Sequence, residues 1–431
     1  MIERHVAPVV LEALASSPAV AIVGARRCGK AALAESLEGT RVARRVFDAA
    51  NRVVHTAVRL DLRTFLHATA GPVLLLNAHN APRVLEQVAG AAGEFTTPGQ
   101  LLLTSSSALP PVPTREGSTP PIARVRMYPL SQGEIAGARE SFLGRMLSPE
   151  PLPVSAPAIG LDELWYRMVR GGFPEAVGLG SFEQRAAWFD WYLDRVVAST
   201  RIELASTNGY HRLPSILADV AAASSGLVAK ERLRRAALVF LGGSPSRWRR
   251  IKRLVLRQAR RSVPAAVRRH YLQVLERTFL VDRLPGWSPP GRQASSPAQR
   301  FVADSGLLCH LLDLPEHPGD ELRMLDPMTF SFVAGELRKQ ASWSSTPVKL
   351  SSFRPAGGSP PVLVLEGAED RCAGLVVRPC SVDRGCLSAL EALAAAAGNT
   401  FVRGAILHCG AETIPFGKGL KAIPISAVWH W

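Results

Sequence analysis

Residues 19–32 read Ala-Val-Ala-Ile-Val-Gly-Ala-Arg-Arg-Cys-Gly-Lys-Ala-Ala, and the fold turns on them. Ala19 to Val23 is an unbroken apolar run rich in β-branched residues, which predicts a short buried strand ending at Gly24. From Ala32 to Leu37 the apolar positions recur at helical spacing. Between them, Gly24-Ala25-Arg26-Arg27-Cys28-Gly29-Lys30 has the spacing G-x-x-x-x-G-K. Glycines at both ends of such a loop permit tight turns, so that successive backbone N–H groups form a nest for an anion. A lysine directly after the second glycine reaches the β- and γ-phosphates of a nucleotide. Residues 24–30, extended through Ala31 and Ala32, are therefore the candidate nucleotide-binding loop, with ATP as the expected ligand.

Outward from this stretch the same alternation continues. Val9 to Leu14 reads as a helix, Val73 to Leu76 and Leu101 to Thr104 as strands, and Pro82 to Ala92 as a helix between those strands. Short apolar strands separated by helices predict a parallel sheet covered on both faces. A Pro-rich interruption, Leu147 to Gly160, reads as a linker. The next region is mostly helical, and Trp188, Phe189, Trp191, Tyr192, Leu193 and Val196 are its expected core face. A second break, Trp287 to Pro297, precedes a return to α/β pattern, with strands at Val362–Leu365, Leu375–Val377 and Gly404–Leu407 and a helix over Cys386–Ala397. The expected domains are thus 1–146 (α/β), 161–286 (helical) and 298–431 (α/β).

Composition narrows the classes. The 431 residues, 47% hydrophobic and 20% charged, suit a globular chain with several cores. No apolar run approaches the eighteen or so residues of a membrane span. Met1 to Val10 mixes acid, base and histidine, unlike a signal peptide, so a soluble cytoplasmic protein is expected. The six cysteines include no C-x-x-C pair, which speaks against a disulfide scaffold or a thiolate zinc site. The formal net charge of +15 suits a polyanionic partner. The basic residues are mostly arginine in a chain rich in alanine, proline and glycine, which a GC-rich genome also produces.

What is missing from the loop matters as much as what is present. Ala31 stands where a serine or threonine would supply a hydroxyl to Mg²⁺, and Ala32 offers none. Hydrolysis also needs a carboxylate at the end of a neighbouring strand, yet the run from Val73 ends in Leu76-Asn77. Phosphoryl transfer depends on positioning and charge stabilisation, so hydrolysis is expected to be impaired. Binding can persist, with Mg²⁺ carried on the phosphates and keeping most of its waters.

Further stretches carry a resemblance. Leu102-Leu103-Thr104-Ser105-Ser106, Ala123-Arg124, Tyr128 to Ile135, Arg170 to Glu175, Asp304 to Leu307 and Glu336 to Gln340 recur in that order. With the loop, they make the chain resemble the prokaryotic AAA-type ATP-binding proteins with a C-terminal domain related to restriction endonucleases. The resemblance implies an N-terminal P-loop NTPase domain, a winged-helix-like middle domain and an endonuclease-like end. It implies that Asn77 occupies the place of the catalytic acid, that Arg124 faces the γ-phosphate and that Thr104 is a polar sensor. In the C-terminal domain it implies a metal-holding set at Glu336, Pro360-Pro361-Val362 and Val376-Val377-Arg378. Only Glu336 keeps its carboxylate, with Glu369 and Asp370 in the intervening turn, so nuclease activity and a resident metal are not expected.

Between Ser244 and Leu275 ten basic residues occur without an acid. Arg249, Arg250, Arg253, Arg257, Arg260, Arg261, Arg268 and Arg269 are the candidates for nucleic-acid phosphate contacts, interleaved with Trp248 and Tyr271. A docking face for an acidic protein and a merely solvated face stay open. The resemblance places a helix-turn-helix-like segment here. Pro264 suits a helix start, with Val267, Tyr271, Val274 and Leu275 as the buried stripe. The sequence therefore reads as a nucleotide-binding, hydrolysis-deficient protein acting on nucleic acid or as an assembly scaffold, with an oligomer left open. Two alternatives remain: an interaction module that has lost nucleotide binding, and a residually active ATPase whose acid comes from Asp48, Asp61 or a neighbouring subunit.

Overall fold

A computed structural model describes residues 2–37, 45–69, 71–81, 84, 87, 97–109, 122–200, 213–224, 264–289, 297–355, 358–417 and 419–431. The chain forms two compact units, residues 1–130 with 277–279, and residues 131–276 with 280–431. The expected domain at 298–431 and, apart from residues 277–279, that at 161–286 fall within the second.

The first unit is built on five parallel strands: β1 (Ala19–Val23), β2 (Arg45–Asp48), β3 (Val73–Leu76), β4 (Leu101–Ser105) and β5 (Ile122–Arg126). Helices α1 (Ala7–Ser16), α2 (Lys30–Ser36), α3 (Arg52–Leu60) and α4 (Leu62–Thr69) accompany them. The spatial order is β2-β3-β4-β1-β5. All five residues of β1 and of β4 are buried, which is why these strands read as continuous apolar runs. β2 and β5 lie at the two edges and mix polar with apolar residues. From β1 the chain crosses to the far edge, returns through β3 and β4 to the other flank of β1, and then adds β5 on the opposite side. The carboxyl end of β1 is therefore the point where strand order reverses, the place where α/β sheets open a crevice for ligands. Of the helix expected over 82–92, only residues 84 and 87 are described.

In the second unit the described α-helices of five or more residues are α5 (Gln132–Ala136), α6 (Phe142–Leu147), α7 (Leu161–Arg170), α8 (Phe182–Ser199), α9 (Leu213–Ser224), α10 (Ala265–Arg277), α11 (Ser305–Leu311), α12 (Leu325–Ala341) and α13 (Arg384–Ala397). β6 (Val281–Leu284) and β7 (Gln299–Val302) form an antiparallel pair. A six-stranded mixed sheet follows, with β8 (Lys349–Phe353), β9 (Val362–Glu366), β10 (Cys372–Val377), β11 (Phe401–His408), β12 (Ile414–Gly417) and β13 (Leu420–Pro424) in the order β12-β13-β11-β10-β9-β8. Strand alternation sorts its two faces. Leu363, Leu365, Leu375, Val377 and Leu407 join one core with Val333 and Leu337 of α12, while Val362, Val364, Val376 and Ile406 join Leu390 and Leu393 of α13.

Two expectations change here. Trp191 is exposed rather than part of the α8 core face. At 100° per residue it points away from Phe189, Tyr192, Leu193 and Val196, which are buried. Leu147 to Gly160 is not a free tether: Ala156 N–H donates to Ala411 O, Ile159 N–H to Cys409 O, and Leu152, Ala156 and Ile159 are buried. The Arg403 guanidinium holds the same segment through the carbonyls of Ser148 and Glu150.

The Arg170–Glu175 and Asp304–Leu307 stretches meet in a clasp. Asp304 caps α11 by accepting from Leu307 N–H at 2.9 Å and also accepts from Gly172 N–H at 2.8 Å. The Gly171 and Gly306 backbones pass so closely that a Cβ on Gly306 would lie 2.9 Å from Gly171 Cα and 2.9 Å from the Phe189 ring.

Candidate functional site

The loop leaves β1 into a closed turn. Arg27 and Gly29 adopt left-handed backbone angles, φ 63° and 101°, and Cys28 N–H donates to Ala25 O. Left-handed residues interspersed among others in a tight turn are the backbone pattern from which anion nests are built. Gly24 is required for close approach, since a side chain there would run into the carbonyl oxygen of Met127. Arg4 was not identified from sequence, because nothing in its spacing links it to the loop. Its buried guanidinium donates to Cys28 O at 2.8 Å and to Tyr128 O at 2.7 Å, fixing the outer turn to the end of the sheet.

Lys30 begins α2 and is buried. Its Nζ donates to Gly24 O at 3.0 Å and to Ala25 O at 2.7 Å, so the ammonium spans the loop. Burial holds its pKa below the usual lysine value, the Arg26 charge acts in the same direction, and the Cys28 thiol opposes. An ammonium carries three donors. With two spent on carbonyls, the third remains for a ligand, apart from a weak 3.9 Å contact with Cys28 Sγ. Ala31 and Ala32 carry no oxygen on their side chains, so the start of α2 offers no direct ligand to a hard cation.

Across the carboxyl edge of the sheet lie three polar groups from neighbouring strands. Asn77, directly after β3, has φ 54°. Its N–H donates to Thr104 Oγ1 at 3.1 Å at the end of β4, and its Nδ2 donates to Asp48 Oδ1 at 3.0 Å at the end of β2. His79 follows. Arg26 Nη2 lies 3.2 Å from its Nε2, and Ser106 N–H lies 3.3 Å from its Nδ1. A neutral imidazole has one acceptor nitrogen, so only one of these contacts is a hydrogen bond at a time. Burial first, then the Arg26 and Lys30 charges, lower the His79 pKa to about 4, with Asp48 pulling weakly upward.

The remaining expected residues are placed as follows. Arg124 sits at the middle of edge strand β5, exposed and in register with Ala21, so that about 10 Å of strand separates it from Gly24. Asp61 caps α4, accepting from Arg63 N–H, Thr64 N–H and the Thr64 hydroxyl. Those bonds hold its carboxyl below the usual range. Among the basic candidates, Arg268 and Arg269 are exposed on α10, while Arg249, Arg250, Arg253, Arg257, Arg260 and Arg261 lie outside the described residues. On α10 itself Tyr271, Leu272, Val274 and Leu275 are buried, and Val267 is half-buried.

In the second unit Glu336 is committed to structure. One oxygen pairs with Lys339 at 2.6 Å and the other accepts from Gln132 N–H at 2.7 Å. Burial pushes this carboxyl above its usual range, while Lys339 pulls the other way. Pro360, Pro361, Val377 and Arg378 line a cavity of about 240 Å³ with Phe330 and Asp326, and Asp326 is paired to Arg378 at 2.9 Å. Among the described residues no group of three or more His, Cys, Asp and Glu is placed to hold a metal, and no helix is long and apolar enough to cross a membrane.

Comparison with protein families matches residues 161–317 to a domain of unknown function, DUF8612. A comparison with curated proteins finds no match. Among solved structures, a Walker-type ATPase of Pyrococcus abyssi aligns over 72% of this chain and 96% of its own, with 14% identity and a TM-score of 0.40. That likeness is too loose to carry any assignment of fold, residue or function.

Proposed function

We propose that residues 24–30 hold the phosphates of a nucleotide, ATP, and that the protein works by binding it rather than by rapid turnover. The observation that carries this reading is the Lys30 ammonium, fixed across a closed loop at the carboxyl end of β1, where the strand order reverses. Backbone N–H groups, a buried cation and the half-buried Arg26 guanidinium make one electropositive hollow, suited to a polyphosphate. Slow turnover follows from Asn77, whose amide can orient a water but cannot take its proton.

In the second unit the reading is an inactive endonuclease-like domain. Its one retained carboxylate, Glu336, is consumed by Lys339 and Gln132. The exposed Arg268 and Arg269 support a role for the basic segment in contacting nucleic-acid phosphates.

The test is titration of a fluorescent ATP analogue. Lys30→Met keeps the buried stem and removes the charge. It should weaken binding at least about tenfold, the loss expected for one buried charge-assisted contact. Equal affinity of parent and variant would remove the loop from the account.

A further inference from the structure

The start of α2 gives a magnesium ion no oxygen, and the carboxyl end of β3, two strands from β1 with β4 between them, carries Asn77 rather than an acid. The structure nevertheless brings a carboxylate to this edge from one strand further out. Parallel pairing sets Asp48 in register with Leu76, and Asn77 then turns back through its left-handed backbone so that its amide meets the carboxylate at 3.0 Å. A carboxylate only accepts, which fixes the amide with Nδ2 toward Asp48 and leaves Asn77 Oδ1 as an acceptor. Asp48 Oδ1 takes Asn77 Nδ2 and Ala50 N–H. Among the described residues, Asp48 Oδ2 and Asn77 Oδ1 receive no hydrogen bond. Two acceptors, one of them charged, therefore remain at the carboxyl edge of the sheet, where Arg26 of the loop reaches across to within 3.2 Å of His79 Nε2, two residues after Asn77.

We infer that Asp48, positioned by Asn77, supplies the carboxylate that holds the waters of a magnesium ion arriving on the nucleotide. The inference rests on nucleotide binding at the loop. Magnesium prefers to keep several waters and to be held through few carboxylates together with substrate phosphates. Its bound waters are strong donors, and acceptor oxygens that receive no other hydrogen bond match them. When bound, the ion would neutralise charge on the phosphate oxygens. The protein's part is to keep one negative charge in place, with Asn77 Nδ2 and Ala50 N–H orienting it.

The experiment is calorimetric titration of ATP into the full chain, with Mg²⁺ and with EDTA. For the parent, Mg²⁺ should tighten binding about tenfold, the order expected for charge-assisted hydrogen bonds to one carboxylate. Asp48→Asn keeps the acceptor for Ala50 N–H and should reduce that enhancement to less than about twofold, with affinity in EDTA unchanged or improved. Asp48→Ser is a second variant in case the first alters folding, read by the melting temperature without ligand. Asp61→Asn, which removes a capping carboxylate elsewhere in the unit, should keep the full enhancement. Retention of the enhancement in both Asp48 variants overturns the inference, as does ATP binding by the parent with no effect of Mg²⁺. Both results leave the loop reading intact. No ATP binding under either condition overturns the loop reading, and this inference with it.

Discussion

His79 is the residue whose environment is most at odds with its intrinsic chemistry. Burial, and after it the Arg26 and Lys30 charges, hold its pKa down at about 4, below the usual 6.5. Because the folded value lies below the unfolded one, the neutral ring contributes stability above pH 6.5, and that contribution fades as pH falls from 6.5 through 4. The gap between 6.5 and about 4 corresponds to roughly 3 kcal/mol. An NMR titration of the imidazole should give a midpoint near 4, and Arg26→Ala should move it upward. A midpoint near 6.5 in the parent would show that the ring is not enclosed as described. None of this was legible in the sequence, where His79 is one polar residue after an apolar run. The loop itself was legible, because its spacing and its flanking strand and helix are local. Arg4 and the Asp48–Asn77 contact were not, because they join residues 24 and 29 positions from their partners through the sheet.

At the scale of elements, the strands that could be read were the buried ones. β1, β3 and β10 are apolar throughout and β4, β9 and β11 carry apolar runs at Leu101–Leu103, Val362–Leu365 and Gly404–Leu407, whereas β2 (Arg-Val-Phe-Asp) and β5 (Ile-Ala-Arg-Val-Arg) carry polar residues at the edges of their sheet. The unread strand β2 is the one that delivers Asp48. The clasp between the end of α7 and the start of α11 makes a separate prediction. Gly306→Ala would press a methyl group against Gly171 Cα and the Phe189 ring, and overpacking of this kind costs about 1–3 kcal/mol. Asp304→Ala would strand the buried N–H groups of Gly172 and Leu307 and cost at least as much. Urea unfolding followed by tryptophan fluorescence, which Trp165 and Trp188 of this unit report, should show both midpoints lowered. An unshifted Gly306→Ala midpoint would mean that the two backbones are not in contact.

For the molecule as a whole, +15 of formal charge is large enough to govern association with polyanions. Affinity for duplex DNA should fall steeply with salt, and replacing both Arg268 and Arg269 by alanine should lower the log–log slope by about two. A salt-independent affinity would exclude phosphate contacts. The α/β pattern of both units was readable from strand-length apolar runs. The packing of the Pro-rich 147–160 segment was not, because its anchors, residues 409–413 and Arg403, lie some 250 positions away. The place of Asp48 on β2 has a consequence of its own. β2 is an edge strand that, among the described residues, is laddered on one side only, and its Arg45 and Val46 are exposed. Breathing of such a rim requires the rupture of a single ladder. If Asp48 holds a metal-loaded nucleotide as inferred, the apparent grip on it is discounted by the fraction of time β2 spends away from β3, so substitutions that merely tighten this rim should sharpen recognition without touching the loop.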